Sequence, residues 1–295
     1  MLAKSIKFSK NFLSYPYKNE VARGIMRNWF PIFLKYPVNQ KPRYGYFKPK
    51  LQYIDAIFAA QLGEYKELFD RFSAYSDPIK SISVEKKNDV APYWDQPWFT
   101  SLDAIVLYCQ LAETNPAQYI EIGSGNSTKF VKQAIRDFNL RTKITSIDPY
   151  PRAEIDDLSD TVVRKGLEDC DLDLFKALEP NDLVFFDGSH RCFMNSDVTV
   201  FFLEILPLLP KDANIHIHDI HLPYDYPPER VFAWESEQYP LATMLMTNQS
   251  NYVTTCPNNY LCNNEEMKQY IVKAMDLPAQ LSELAGSSYW MRKLC

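Results

Sequence analysis

Apolar positions recur in two registers along the chain, and the switch falls near Pro116. Over LQYIDAIFAAQLGEYKELFDRFSAY (51–75), Ile54, Ile57, Phe58, Leu62, Tyr65, Leu68 and Phe69 stand at helical spacing. WFTSLDAIVLYCQLAE (98–113) predicts a second helix starting near Ser101 or Asp103, and between the two lies an aromatic loop, APYWDQPWF (91–99). From Pro116 onward, short apolar runs alternate with helical segments. The predicted strands cover 117–123, 142–148, 161–165, 181–187, 213–219, 251–255 and 287–293. The predicted helices cover 127–138, 152–160, 171–178, 196–209, 233–246 and 265–275. Near-continuous apolar strands in β-α-β alternation imply a parallel sheet covered on both faces. The fold class is α/β, with residues 1–112 as a basic arm and helical extension and 113–295 as the sheet domain.

Composition narrows the class. Of 295 residues, 46% are hydrophobic and 23% charged, as in a globular protein in water. The six cysteines include no CxxC pair, which argues against a disulfide scaffold and for a reduced, cytoplasmic setting. The first residues lack the apolar core of a signal peptide, and no run approaches the length of a membrane span. The net charge of −5 hides an asymmetry: Glu20 is the only acid up to Ile54, so that stretch carries +10 and the remainder −15. Basic and aromatic residues interleave in MRNWFPIFLKYP and KPRYGYFKPK. Such an arm suits a membrane surface or RNA. It equally suits its own acidic body or a second subunit in a homo-oligomer. The acidity of the body speaks against a broad nucleic-acid footprint.

The first chemical motif is YIEIGSGNSTKF. A strand ends at Ile122, Gly123 and Gly125 turn the chain, and Ser127 or Thr128 begins a helix whose free amides face the turn. Asp148 ends the next strand, where an acid binds ribose hydroxyls in doubly wound sheets. A nucleoside-containing cofactor is the expectation. The dinucleotide fingerprint fails for want of a third glycine, and a P-loop lysine is missing. The acid before the glycines, Glu121, suits a cofactor bearing positive charge rather than a pyrophosphate.

EIGSGNS, SIDP and VFFDGSH, in that order on alternating strands, resemble the class I S-adenosylmethionine-dependent methyltransferases, most of all their methyltransferase-24-type branch. The resemblance runs from about Pro92 to the C-terminus. It implies a Rossmann-like, seven-stranded, mostly parallel sheet in the order 3-2-1-4-5-7-6, with the terminal SSYWMRK as its antiparallel strand. It also implies that Glu121, Gly123, Ser124 and Gly125 line the methionine and ribose part of S-adenosylmethionine. Asp148 would take the ribose hydroxyls, Pro149 the adenine face, and Glu168 or Asp169 the adenine amine. Ser127, counted with the cofactor loop, stands where a third glycine often occurs, and Asp187 closes the site. The aromatic loop either lids this site or packs into the core.

The chain has four histidines, and HIHDIHLPYD (216–225) holds three of them with two aspartates. In the implied sheet order the VFFD and IHIHD strands are neighbours, so Asp187, His190, His218 and Asp219 meet at one rim. One reading is a divalent metal (Mg, Mn, Fe, Ni or Zn) on Asp187, His218 and Asp219, with imidazole favouring the last four. The others are a hydrogen-bonded Asp–His network without metal and unrelated surface positions. Alternation along a strand sends residues 218 and 219 to opposite faces, so the metal reading needs the strand to have ended. His216, deeper in the strand, is expected to be a satisfied core residue. His221 and Asp225 either contact substrate or lie solvated in a loop.

Alcohols are poor nucleophiles near neutral pH, which assigns His190 as general base with Asp187 and Asp219 orienting the acceptor. DGSH is similar in its spacing to metal-dependent sugar O-methyltransferases of the superfamily, and an NPPY-type amino-methylase signature is absent. The expected reaction is O-methylation of a small molecule or glycan. RNA methylation and a catalytically silent cofactor-binding module that docks on membranes or partner proteins are the alternatives.

Overall fold

A computed structural model of the chain describes residues 40–151, 155–247 and 251–295. Most of the basic arm expected over 1–50, and the start of the short helix expected over 152–160, lie outside the described residues.

Seven strands form one sheet: β1 (Gln118–Ile122), β2 (Lys143–Ile147), β3 (Thr161–Val163), β4 (Leu183–Phe186), β5 (Asn214–Ile217), β6 (Tyr252–Pro257) and β7 (Tyr289–Lys293). Their order is β3-β2-β1-β4-β5-β7-β6. The first five strands run parallel and β7 runs antiparallel to both neighbours, as the family resemblance implied. The central strands are buried along almost their whole length, which is why they read as unbroken apolar runs rather than alternating ones. Ile122 lies level with Ile147 and Phe186, and Phe186 with Ile217, so four strands end flush. Whatever follows those four residues shares one rim.

The helices are α1 (Gln52–Ala59), α2 (Leu62–Phe72), α3 (Ser76–Ser81), α4 (Ser101–Thr114), α5 (Asn126–Phe138), α6 (Asp173–Lys176), α7 (Asp197–Val200), α8 (Leu206–Leu208), α9 (Gln238–Thr247), α10 (Asn258–Cys262) and α11 (Glu265–Ala274). The helix expected over 51–75 is two helices, because the chain turns at Ala60 and Gln61. The helix expected over 196–209 contains a π turn, Phe201–Ile205, just before Pro207, which has no N–H to donate. In α4 every residue from Leu102 to Leu111 is buried, including Asp103. One hydrophobic core runs from Ile54 in α1 through α4 and the sheet to Met291 in β7, so the helical segment 51–112 and the sheet share it.

Candidate active site

The glycine loop is built by close approach. Gly123 donates its N–H to Ile147 O (2.9 Å), and Asp187 N donates to Ile122 O (2.8 Å), closing the loop against β2 and β4. Gly123 has φ +82°, and a Cβ there would lie 2.0 Å from Asp187 O. Glycine is required at this point by both space and conformation. Ser124 donates N–H (2.9 Å) and Oγ–H (3.1 Å) to Asp148 Oδ2, while Asp148 Oδ1 accepts from Tyr150 N. Asp148 therefore braces the loop from the end of β2.

Glu121 lies beneath, fully buried, and accepts from Thr128 Oγ1 (2.6 Å), Ser146 Oγ (2.5 Å) and Tyr119 OH (3.2 Å). Burial raises its pKa to about 7 against the pull of these hydroxyls. Its place is under the loop, tying β1, β2 and α5 together. Above the loop opens a cleft of about 380 Å³, lined by Ser124, Gly125, Ser127, Asp187, Tyr93 and Trp98 among others. Pro149 is exposed beside it in sequence, and Glu168 and Asp169 are exposed on the turn Leu167–Asp169. The packing expected of the aromatic loop is seen at Trp94 and Phe99, which pack on Phe130, while Tyr93, Trp98 and Phe99 line the cleft.

The second half of the site sits where β4 and β5 end. β5 stops at Ile217, and Asp219 adopts a left-handed backbone with φ +56°. That conformation removes the strand alternation, so His218 and Asp219 turn to the same rim. Asp187, His218 and Asp219 each offer one ligand atom, all within 4.8 Å of one another. His218 Nδ1 lies 3.5 Å from Asp187 Oδ1 and 3.9 Å from Asp219 Oδ2, and its Nε2 lies 3.4 Å from Asp103 Oδ2. His190, also left-handed (φ +66°), places Nε2 3.7 Å from Asp187 Oδ1 and 3.4 Å from Asp219 Oδ2. The four residues expected at one rim do meet there.

Three residues of this site were not assigned to it from the sequence. Glu237 is fully buried, and its Oε1 lies 2.7 Å from His190 Nδ1. Arg230 grips Asp219 with two hydrogen bonds, Nη1 to Oδ1 (2.7 Å) and Nη2 to Oδ2 (2.9 Å), and also holds Glu235. Asp103, fully buried at the start of α4, accepts from Thr100 Oγ1, Asn258 Nδ2 and the backbone N–H groups of Ser287 and Ser288. Only charge at a helix start marked Asp103. Arg230 lies in the 3-10 turn Pro228–Ala233, and Glu237 falls within the helix expected over 233–246 but just ahead of α9, which starts at Gln238; nothing marked either residue's approach to the rim.

The electrostatics follow from these contacts. Burial disfavours charge on His190, but Glu237 above all, with Asp187 and Asp219, raises its pKa to about 9. Burial also opposes charge on His218, which Asp187, Asp219 and Asp103 overcome, lifting it well above the usual imidazole range. Desolvation works against an ionised Asp103, yet His218 and the surrounding donors hold it down to about 2. Desolvation likewise opposes ionisation of Asp219, and the Arg230 fork outweighs it, keeping that carboxyl well below its ordinary range.

The remaining histidines are structural. His216 is a core residue as expected, fully buried, stacked on Trp290 (4.0 Å between centroids) and hydrogen-bonded through Nε2 to Ser288 Oγ (2.6 Å), but it is not fully satisfied, since its buried Nδ1 has no hydrogen-bond partner. His221 and Asp225 are neither solvated nor open to a substrate. His221 is buried between Arg230 and Asn259, and burial lowers its pKa to about 4. Asp225 is buried and accepts from the backbone N–H groups of Arg43 and Tyr44 and from Tyr239 OH.

Comparisons with known proteins bear on the same segment. Residues 120–220, about a third of the chain, match a family model described as a methyltransferase domain. An uncharacterized protein of Archaeoglobus fulgidus is 29% identical over 126 residues, 41% of this chain. That match spans about half (53%) of the relative's length. The SAH-bound methyltransferase of Podospora anserina is similar at 16% identity and a TM-score of 0.40, over 66% of this chain and 79% of its own. An O-methyltransferase of Bacillus cereus in complex with SAH is similar at 14% identity and a TM-score of 0.39, over 83% of this chain and 96% of its own. Neither likeness bears on the acceptor.

Proposed function

We propose that this chain, whose residues 120–220 match a methyltransferase-domain model, moves the methyl group of S-adenosylmethionine to a hydroxyl oxygen of a small molecule or glycan. The observation that carries the reading is His190. Its Nδ1 is held by buried Glu237, so Nε2 is directed between Asp187 and Asp219, and Asp187 also lines the cleft over the glycine loop. A base and the cofactor cleft thus share one carboxylate.

In the reaction the acceptor oxygen attacks the methyl carbon, the sulfur–methyl bond breaks, and S-adenosylhomocysteine leaves. The hydroxyl proton passes to Nε2 of neutral His190. Against its burial, the carboxylates around the ring raise its pKa to about 9, so the neutral form that accepts the proton gains population as pH rises towards 9, and turnover is expected to rise with it. Asp187 and Asp219 accept hydrogen bonds from acceptor hydroxyls and set the line of attack.

A divalent ion fits the residues present. His218 Nδ1 is buried with no hydrogen-bond partner and faces Asp187, while Asp103 stands at the far nitrogen, as second carboxylates do behind metal-bound imidazoles. One nitrogen and two carboxylate oxygens favour Mn, Fe, Ni or Zn over Mg. Such an ion would supply Lewis acidity that favours the alkoxide. The ion-free network draws support from Arg230, which already balances Asp219.

The reading is tested by turnover of the wild type and His190→Ala against hydroxylated acceptors, with and without chelator. A drop in kcat of about 10²- to 10⁴-fold with unchanged affinity for S-adenosylhomocysteine supports the base. Full turnover in the variant removes it. Loss of turnover on chelation, restored by one ion, supports the metal, and indifference to chelator supports the network.

A further inference from the structure

We infer that Lys129, assisted by Lys86 and the N-terminus of α5, binds the carboxylate at the amino-acid end of the methyl donor. The inference rests on the S-adenosylmethionine reading above and assigns residues that neither glycine loop nor carboxylates account for.

Lys129 is the fourth residue of α5, a 13-residue helix. A cation in the first turn of a helix opposes the macrodipole, whose positive end lies there. No acidic residue stands in that first turn; Thr128 Oγ1 accepts from Gly125 N at the N-cap (3.1 Å), and the N-cap residue, a glycine, has no side chain to cap the amides that follow. Lys129 is nevertheless 95% buried, with 5% of its surface exposed, and that remainder lines the cleft. Burial and the nearby Lys86 both disfavour its charge, and Asp89 alone favours it. Asp89 is already engaged with Lys86, at 2.6 Å. Among the described residues, no carboxylate lies within ion-pair distance of Lys129. The Lys129 ammonium and a helix N-terminus therefore face one cleft beside the Lys86–Asp89 pair. A largely buried cation left in that state is costly, and an anion entering the cleft relieves both.

The composition of the cleft selects the kind of anion. Its lining also includes the carboxylates of Asp89 and Asp187. These repel a phosphate dianion but suit an ammonium. An α-amino acid carries carboxylate and ammonium on one carbon, so it meets cations and anions side by side. Ser124 lies on the same cleft and is held by Asp148. The loop thus joins the lysine end to the end of β2, where the ribose is expected. A nucleoside with an amino-acid tail spans the two.

The test is calorimetric titration of the full chain, wild type and Lys129→Met, with three probes. These are S-adenosylhomocysteine, its decarboxylated analogue ending in a 3-aminopropyl group, and inorganic phosphate. Lys129→Met is expected to weaken S-adenosylhomocysteine by about 10- to 100-fold, the size of a charge-assisted hydrogen bond, and to leave the decarboxylated analogue within about twofold. Lys129→Arg, which keeps the charge, should retain most of the affinity. Without ligand, Lys129→Met should melt no lower than wild type, since an unmatched cation has been removed. Lys129→Gln serves the same comparison should the methionine variant fail to fold. Equal losses for both nucleosides, or no loss for either, would overturn the assignment. So would phosphate that competes with S-adenosylhomocysteine and depends on Lys129 while the nucleoside does not. A wild type that binds the decarboxylated analogue as tightly as S-adenosylhomocysteine refutes the carboxylate contact but leaves the methyl-donor reading intact. Binding of neither nucleoside removes both.

Discussion

Single residues decide the chemistry of this rim, and two of them are decisive through their partners. Glu237 sits behind His190 at 2.7 Å without solvent contact. Replacing it with Gln keeps a hydrogen-bonding group but removes the charge that favours the imidazolium. We expect Glu237→Gln to lower kcat by roughly 10- to 100-fold with unchanged affinity for S-adenosylhomocysteine, read by steady-state kinetics beside calorimetry. Glu121 acts on stability instead. Its folded pKa is raised to about 7 by burial, above the ordinary 4.5 of an unfolded glutamate. Between those values the folded state binds the extra proton, so its stability falls as pH rises through that window. The shift corresponds to about 3 kcal/mol. Denaturant titrations should show Glu121→Gln gaining on wild type by that order between pH 4.5 and pH 8. An equal difference at both pH values would contradict the buried, proton-bearing Glu121. His190, Asp187, His218 and Asp219 were legible because their residue types are rare or sit at strand ends. Glu237 and Arg230 were not, because neither the helical pattern over 233–246 nor the short 3-10 turn Pro228–Ala233 shows that these ordinary charged residues fold back onto the rim.

At the scale of elements, strand ends and helix starts carry the site. The left-handed turn at Asp219 resolves what alternation alone forbids, since β5 has ended before His218. A period-2 pattern shows which face a strand residue takes but not where the strand stops. Gly123 is the equivalent point on β1. Gly123→Ala adds a Cβ against Asp187 O at a positive φ, and we expect a loss of about 3 kcal/mol in denaturant unfolding together with loss of cofactor binding. Asp103 ties the start of α4 to the segment entering β7 through Ser287 and Ser288. Asp103→Ala leaves those buried donors unmatched and should destabilise the protein by about 3 kcal/mol, measured in the same way. A neutral outcome would mean that water replaces the carboxylate. The helix expected over 51–75 breaks at Ala60 and Gln61, where helical periodicity continues without a Gly–Pro signal, so only the packing of α1 and α2 reveals the turn.

At the scale of the whole molecule, the sheet order brings distant segments to one edge. The β-α-β rhythm from Pro116 made the parallel sheet readable, and the motifs EIGSGNS, SIDP and VFFDGSH oriented it. Strand order itself is not encoded in any local pattern; it came from the family resemblance and is the order observed. Among the described residues no helix is long and apolar enough to cross a membrane. The proposed function requires that the cleft over the glycine loop receive S-adenosylmethionine next to His190. The most direct measurement is calorimetric titration of the full chain with S-adenosylhomocysteine. Saturable one-to-one binding, abolished by Gly123→Ala and retained by His190→Ala, is the predicted result. No saturable binding by the wild type, or binding indifferent to the glycine loop, would contradict it.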